Sequence, residues 1–193
     1  MNRHPIVTGT HRTEAQVYNP ATGPGLDIYN KGAWVLHTLR GLIGDAAFFR
    51  AVRREIYGRV DPAPGNFVTR FGSTNEFVGI VNQESGYDLG WFFDVYLRQA
   101  KLPLLVDRRD GNRLMLQWRT PRGLPFPMPV EVAIDGTVQT VPMTGGKGEL
   151  TLPSPRAHVT IDPQGKLLRQ SDEMDRFRDF TEAAKTKAAG GKS

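Results

Sequence analysis

The sequence predicts an α+β chain: an antiparallel α-helical segment of about four helices, then a small antiparallel β-sandwich and a polar C-terminal tail. Three observations carry this. Apolar residues recur at helical spacing from about residue 26 to residue 100. From about 104 to 162, short runs rich in β-branched residues alternate with turn dipeptides. Beyond Gly165 the chain turns polar. These shifts divide the 193 residues into an irregular segment 1–25, a helical part 26–102, a β part 103–165, and an amphipathic helix with a flexible tail 166–193.

Each element has a local reason. Asp27 is a candidate N-cap for a helix running to Arg40, with Ile28, Gly32, Val35, Leu36, Leu39 and Ile43 on one face. Gly44 is placed to end it. Asp45 is then expected to cap a second helix, Ala46 to Tyr57, with Phe48, Phe49, Val52 and Ile56 apolar and Gly58 as its stop. So short a connection predicts an antiparallel pair. Residues 59–72 read as a Pro/Gly loop. Ser73-Thr74-Asn75-Glu76 is a capping box that opens a third helix through Phe77, Ile80 and Val81, broken at Gly86. Asp88 opens a fourth, with Leu89, Phe92, Phe93, Tyr96 and Leu97 inward and Pro103 marking its end.

The β part begins with 104–107 and 114–118 around Asp110-Gly111-Asn112. A stronger hairpin signal is 130–134 and 138–141 around Asp135-Gly136. Residues 149–152 and 158–162 complete six short strands. In the tail, Met174, Phe177, Phe180 and Ala184 mark one face of a helix over 171–187, and 188–193 read as a disordered end. The β part is expected to keep its fold when 166–193 are deleted.

Composition excludes more than it selects. Lys plus Arg is 25 and Asp plus Glu is 20, a net charge of +5 with the two signs interspersed, so nucleic acid is not an expected partner. There is no cysteine, which excludes disulfides and thiolate chemistry. Apolar stretches fall short of the ~18 residues of a membrane span, and residues 1–12 carry no signal-peptide core. None of the four histidines stands in H-E-x-x-H, and no pair has a metal-ligand spacing. His37, beside Trp34, reads as a structural histidine. No Gly-x-Ser-x-Gly elbow is present, and the terminal Gly191-Lys192-Ser193 lacks the rest of a phosphate loop. Asp27, Glu55, Glu76 and Asp88 read as caps or solvated helix faces. The residues alone therefore reach a helical bundle with a β-sandwich and no reaction.

One set of motifs reaches further. Ile28 to Arg40 contains Tyr29-Asn30-Lys31-Gly32-Ala33, and it is followed by Leu42-Ile43-Gly44-Asp45-Ala46-Ala47-Phe48-Phe49. Downstream come Ser73-Thr74-Asn75-Glu76-Phe77, then Ser85-Gly86-Tyr87-Asp88-Leu89-Gly90-Trp91-Phe92-Phe93, then Leu102-Pro103. In this order and over about residues 26 to 165 the chain resembles the zinc aminopeptidases of the aminopeptidase N family, the gluzincins. The resemblance implies that 26–102 is the helical end of a peptidase catalytic domain and 103–165 its β-sandwich domain. The family's H-E-x-x-H helix, third zinc ligand and amino-group motif would lie upstream of Tyr29, where this sequence has 28 residues and none of them.

The resemblance further implies zinc in the complete enzyme and no cofactor in this chain. It implies a peptide substrate and the missing N-terminal catalytic half as partners, with no nucleic acid and no membrane. Tyr29 becomes the phenol that stabilises the oxyanion, the one catalytic residue; Lys31 and Gly32 become structural, Lys31 by pairing with a carboxylate and Gly32 by allowing close helix packing. This chain alone is then inactive, and apolar surface is expected where the missing half docks. The alternative is a non-catalytic protein-binding or assembly module derived from that family. A binder of nucleic acid or anionic surfaces, motivated by the +5 charge and the Lys-rich tail, ranks last because that tail reads as a solvated end.

Overall fold

The computed structural model describes residues 4–172 apart from 20, 60 and 62–69, and beyond them 174, 176, 177, 179–181 and 183. Most of the loop expected at 59–72, and the end expected at 188–193, lie outside the described residues. The chain is α+β, with helices followed by two small antiparallel sheets.

The first helix, α1 (Glu14–Tyr18), falls in the segment expected to be irregular. Its signal was present in the sequence. Thr13 and Gln16 form a capping box, with Thr13 Oγ1 accepting from the Gln16 amide and the Gln16 side chain accepting from the Thr13 amide.

Helix α2 (Asp27–Tyr57) joins the two helices expected there across a kink at Gly44, whose φ of 79° and ψ of 160° are open to glycine alone. Val35, Thr38, Leu39, Ala47 and Ala51 face the core. Three local expectations need correction. Leu26 takes the N-cap position without a side-chain hydrogen bond, and Asp27 is the first helical residue. Asp45 does not cap: it forms a two-pronged ion pair with Arg40, both contacts at 2.8 Å, because a carboxylate five residues on meets a guanidinium across the kink. Leu36, placed inward by its spacing, is exposed, since it lies 100° around the helix from the buried Val35.

Helix α3 (Thr74–Ser85) starts as expected, with Ser73 Oγ accepting from the Glu76 amide, and ends at Gly86 with φ of 75°. It packs on the second half of α2, where Glu84 accepts from Arg50 and Arg54, each at 2.7 Å. Helix α4 (Gly90–Tyr96) begins after Leu89, and Asp88 Oδ1 accepts from the Gly90 amide instead of capping from the N-cap position. Phe92, Phe93, Val95 and Tyr96 are fully buried, giving this seven-residue helix almost no solvent face.

Strands β1 (Leu104–Asp110), β2 (Arg113–Arg119) and β5 (Lys147–Thr151) form one antiparallel sheet in the order β1-β2-β5. Strands β3 (Val130–Ile134), β4 (Thr137–Val141) and β6 (Val159–Ile161) form the other, in the order β4-β3-β6. The β3–β4 turn is the expected Asp135-Gly136, with φ of 47° and 88°; positive φ at both central residues matches the right-handed twist of the strands. Gly148 in β5 must be glycine, because a Cβ there would stand 2.6 Å from Met143 Sδ and 2.8 Å from the Pro142 carbonyl.

One hydrophobic cluster runs through helices and sheets together, including Leu39, Phe92 and Tyr96 with Leu116, Trp118, Val130 and Val132. Edge-to-face aromatic contacts lead from Phe93 through Phe92, Tyr96 and Phe126 to Trp118, with centroids 4.7–5.4 Å apart. The polar atoms of this chain of rings are satisfied: Trp118 Nε1 donates to the Met128 carbonyl and Tyr96 Oη to the Leu168 carbonyl, both at 2.7 Å.

The start of the tail is part of the body. Leu168 is buried, its amide donates to Thr38 Oγ1 at 3.0 Å, Lys166 Nζ pairs with Glu131 at 2.7 Å, and the Gln170 amide donates to the Pro103 carbonyl at 2.9 Å. The first residues of the expected tail thus belong to the body, and deleting 166–193 removes contacts to α2, α4 and β3. Farther on, the described residues from Asp172 to Ala183 are helical, but Phe177 and Phe180 are more than 70% exposed and cover no core. Ala184 of the same expected face lies outside the described residues.

Candidate functional site

Tyr29 stands in the first turn of α2 and is 56% exposed. What positions it is the N-terminal segment. The capping box fixes α1, and the Gly25 amide then donates to the Val17 carbonyl at 3.0 Å, folding the chain back on α1. Gly23 permits this: a Cβ there would lie 2.1 Å from the Gln16 carbonyl oxygen. The result is that Tyr18, the last residue of α1, stacks over Tyr29 with ring centroids 6.3 Å apart at 22°. The two phenol oxygens are 2.5 Å apart and share one hydrogen bond. That bond, followed by partial desolvation, raises the Tyr18 phenol above its ordinary pKa, so Tyr18 keeps its proton through neutral and mildly alkaline pH.

Lys31 lies two residues on, on the opposite side of the helix, and is only 4% exposed. Its Nζ donates to the carbonyls of Gln99 at 2.7 Å and Ala100 at 3.2 Å. Its partners are therefore backbone carbonyls beyond α4, where a carboxylate was expected. Burial lowers its pKa to about 8, against the opposing pull of Asp27 one turn earlier. Asp27 is itself raised by burial, with Lys31 among the charges drawing it down. The contact ties the first turn of α2, which carries Tyr29, to the segment entering β1. Gly32, by contrast, has nothing within 4 Å of where a Cβ would be, so no close helix approach depends on it.

The outer face of α2 is apolar near its start. Leu26 is 70% exposed, and Tyr29, Trp34 and Leu36 are each 40% exposed or more. Leu26, Tyr29, Ala33 and Leu36 follow one another at three- and four-residue steps, which sets them on one exposed stripe beside the buried Val35 and Leu39. His37 meets Trp34 edge to face at 5.4 Å on this surface. Among the described residues no three His, Asp or Glu side chains gather as a metal ion would require.

Of the residues singled out by sequence, Phe92, Phe93 and Leu89 take the core places expected of them, with Phe77 packed against them. Sequence reasoning missed Tyr18 beside Tyr29. The Thr13-x-x-Gln16 box could have found α1, but nothing local shows that its last residue folds back across eleven positions.

Comparison with known proteins adds the fold. No family model matches the chain, and no curated protein matches it in sequence. In structure it is similar to the aminopeptidase A of Legionella pneumophila, solved in complex with aspartic acid, at a TM-score of 0.50 and 15% identity. The match covers 83% of this chain and 19% of that one, so the chain spans about a fifth of the length of the solved enzyme. The fold is thus one found within a larger peptidase.

Proposed function

We propose that this chain is the C-terminal portion of a zinc metallo-aminopeptidase, which hydrolyses N-terminal residues from peptides, and that it is inactive by itself. The observation that supports this reading is the likeness of most of the chain to a stretch of a solved aminopeptidase. The ordered motifs from Tyr29 to Pro103 agree with it. The zinc ligands and the general base belong, on this reading, to an upstream portion that packs on the apolar outer face of α2 around Leu26, Tyr29 and Leu36.

Tyr29 carries this chain's share of the chemistry. When water adds to a scissile carbonyl, the carbonyl oxygen takes on negative charge. A neutral phenol donates a hydrogen bond to that oxygen without bringing a fixed charge to the ground state. Tyr29 is suited by its exposure and by its place in a helical first turn, whose amide dipoles favour nearby negative charge. Tyr18 supports it as a positioning residue. Rotation of the Tyr29 proton toward substrate leaves its oxygen free to accept from Tyr18, and the two phenols then form a donor chain in which each bond polarises the next.

The apolar face of α2 also favours a second reading, a non-catalytic protein-binding or assembly module derived from the same family. Hydrolysis of aminoacyl amides separates the two. It is assayed on this chain alone and on a polypeptide in which the chain follows its own upstream coding sequence. The expected outcome is no release by the chain alone and release by the longer protein that chelation of zinc abolishes. Activity of the chain alone contradicts the proposal, and inactivity of both supports the assembly reading instead.

A further inference from the structure

The end of the first sheet nearest α4 gathers positive charge. Leu104, the first residue of β1, pairs with Arg119, the last of β2, so the segment entering β1 and the segment leaving β2 lie side by side. Lys101 comes from the first, Arg119 and Arg122 from the second. The three line one cleft of about 540 Å³, within the ~300–1,000 Å³ of small-molecule sites, with Leu102 and Pro121 as its apolar wall and no carboxylate among the described residues of its lining.

The three cations are exposed, and none has an ion pair or side-chain hydrogen bond with a described residue. Elsewhere Arg40, Arg50, Arg54, Arg98 and Arg113 each hold a carboxylate. The carbonyls of Gln99 and Ala100, which also line the cleft, receive the buried ammonium of Lys31, a fourth positive charge at neutral pH. Arg122 is also held in a left-handed conformation, with φ of 59° and ψ of 15°, which a β-carbon disfavours and glycine adopts freely. An arginine kept where glycine costs less is an observed outlier that asks for a role.

From this convergence we propose that the cleft formed by Lys101, Arg119 and Arg122 binds the phosphate group of a small phosphorylated molecule. Two guanidinium forks and an ammonium offer enough donors for three phosphate oxygens, and Arg matches that geometry bidentately. A phosphate monoester brings about −1.5 to −2 charges, which answers three unpaired cations better than the single charge of a carboxylate. Leu102 and Pro121 then pack the rest of the molecule. The inference stands apart from the peptidase reading and does not rest on it.

The test is a titration of the 193-residue chain with inorganic phosphate, followed by amide NMR shifts, with acetate and a single-stranded oligonucleotide as parallel arms. The expected result is a saturable shift confined to the amides around Ala100–Leu102 and Arg119–Gly123, with acetate far weaker. Arg122→Gly relieves the backbone conformation, so it keeps the fold while weakening phosphate by about tenfold or more, as loss of a charged hydrogen bond does. Arg119→Gln, exposed on a strand end, gives the same loss without touching the turn. Shifts that spread over all basic residues without saturating overturn the proposal, as does binding unchanged in both variants. Acetate equal to phosphate overturns the phosphate assignment, and so does binding of the oligonucleotide with none of phosphate.

Discussion

At the scale of single residues, Lys31 shows how far a side chain can be from its sequence reading and still be structural. It was expected to meet a carboxylate, and it meets two carbonyls 68 and 69 positions away. No local pattern encodes such a contact. The same holds for the phenol pair of Tyr18 and Tyr29, which depends on a chain reversal at Gly23. Lys31 also makes stability depend on pH. Its pKa is about 8 in the folded chain, below the ordinary lysine value of 10.5, so between those limits the unfolded state binds more protons. Stability from this group therefore rises as pH climbs from about 8 toward 10.5, by up to about 1.4 kcal/mol per pH unit, and is flat below 8. Lys31→Met removes that gain and leaves the Gln99 and Ala100 carbonyls without their ammonium donor. Urea unfolding of both proteins from pH 7 to 10.5 is expected to show the variant's deficit growing with pH; parallel curves would assign the stabilisation elsewhere.

At the scale of elements, positions and turn chemistry were legible and attachments were not. The capping box at Ser73, the stop at Gly86 and the Asp135-Gly136 hairpin rest on local backbone rules, and each appears where those rules put it. Asp45 was misread because a carboxylate after a glycine looks like an N-cap, while the kink brings it within reach of Arg40. The two glycines of α2 separate conformation from space. A Cβ at Gly32 and a Cβ at Gly44 both meet nothing within 4 Å, yet only Gly44 has a non-helical backbone, with φ of 79°. Gly32→Ala is expected to stabilise the chain by about 0.5–1 kcal/mol. Gly44→Ala is expected to destabilise it by about 1–3 kcal/mol, since a β-carbon enters a glycine-only region. Thermal melts of the two variants check both signs, and a common sign would mean that the kink is not a fixed feature of α2.

At the scale of the whole molecule, the division into segments hides how the chain closes. The polar stretch after Gly165 looks like a dispensable tail, because its composition is that of a solvated end. The structure stitches its first residues to α2, α4 and β3 through Leu168 and Lys166. Deletion of 166–193 removes a buried leucine and several hydrogen bonds, and is expected to cost about 3–5 kcal/mol, read as a fall of about 10 °C in Tm. Deletion of 173–193 alone is expected to change Tm by no more than a few degrees. Equal melts for the two truncations would return residues 166–172 to the tail.

The outer surface of α2 is where the molecular scale meets function. A helix with Val35 and Leu39 buried and the neighbouring stripe of Leu26, Tyr29 and Leu36 bare has more apolar surface than its own body uses. The proposed upstream portion would cover that face and bring substrate to Tyr29. The most direct measurement is steady-state kinetics of the Tyr29→Phe variant in the longer protein. The account expects kcat to fall by roughly 10²–10³ with KM little changed, as for a donor engaged only in the transition state. An unchanged kcat would contradict it and take Tyr29 out of the chemistry.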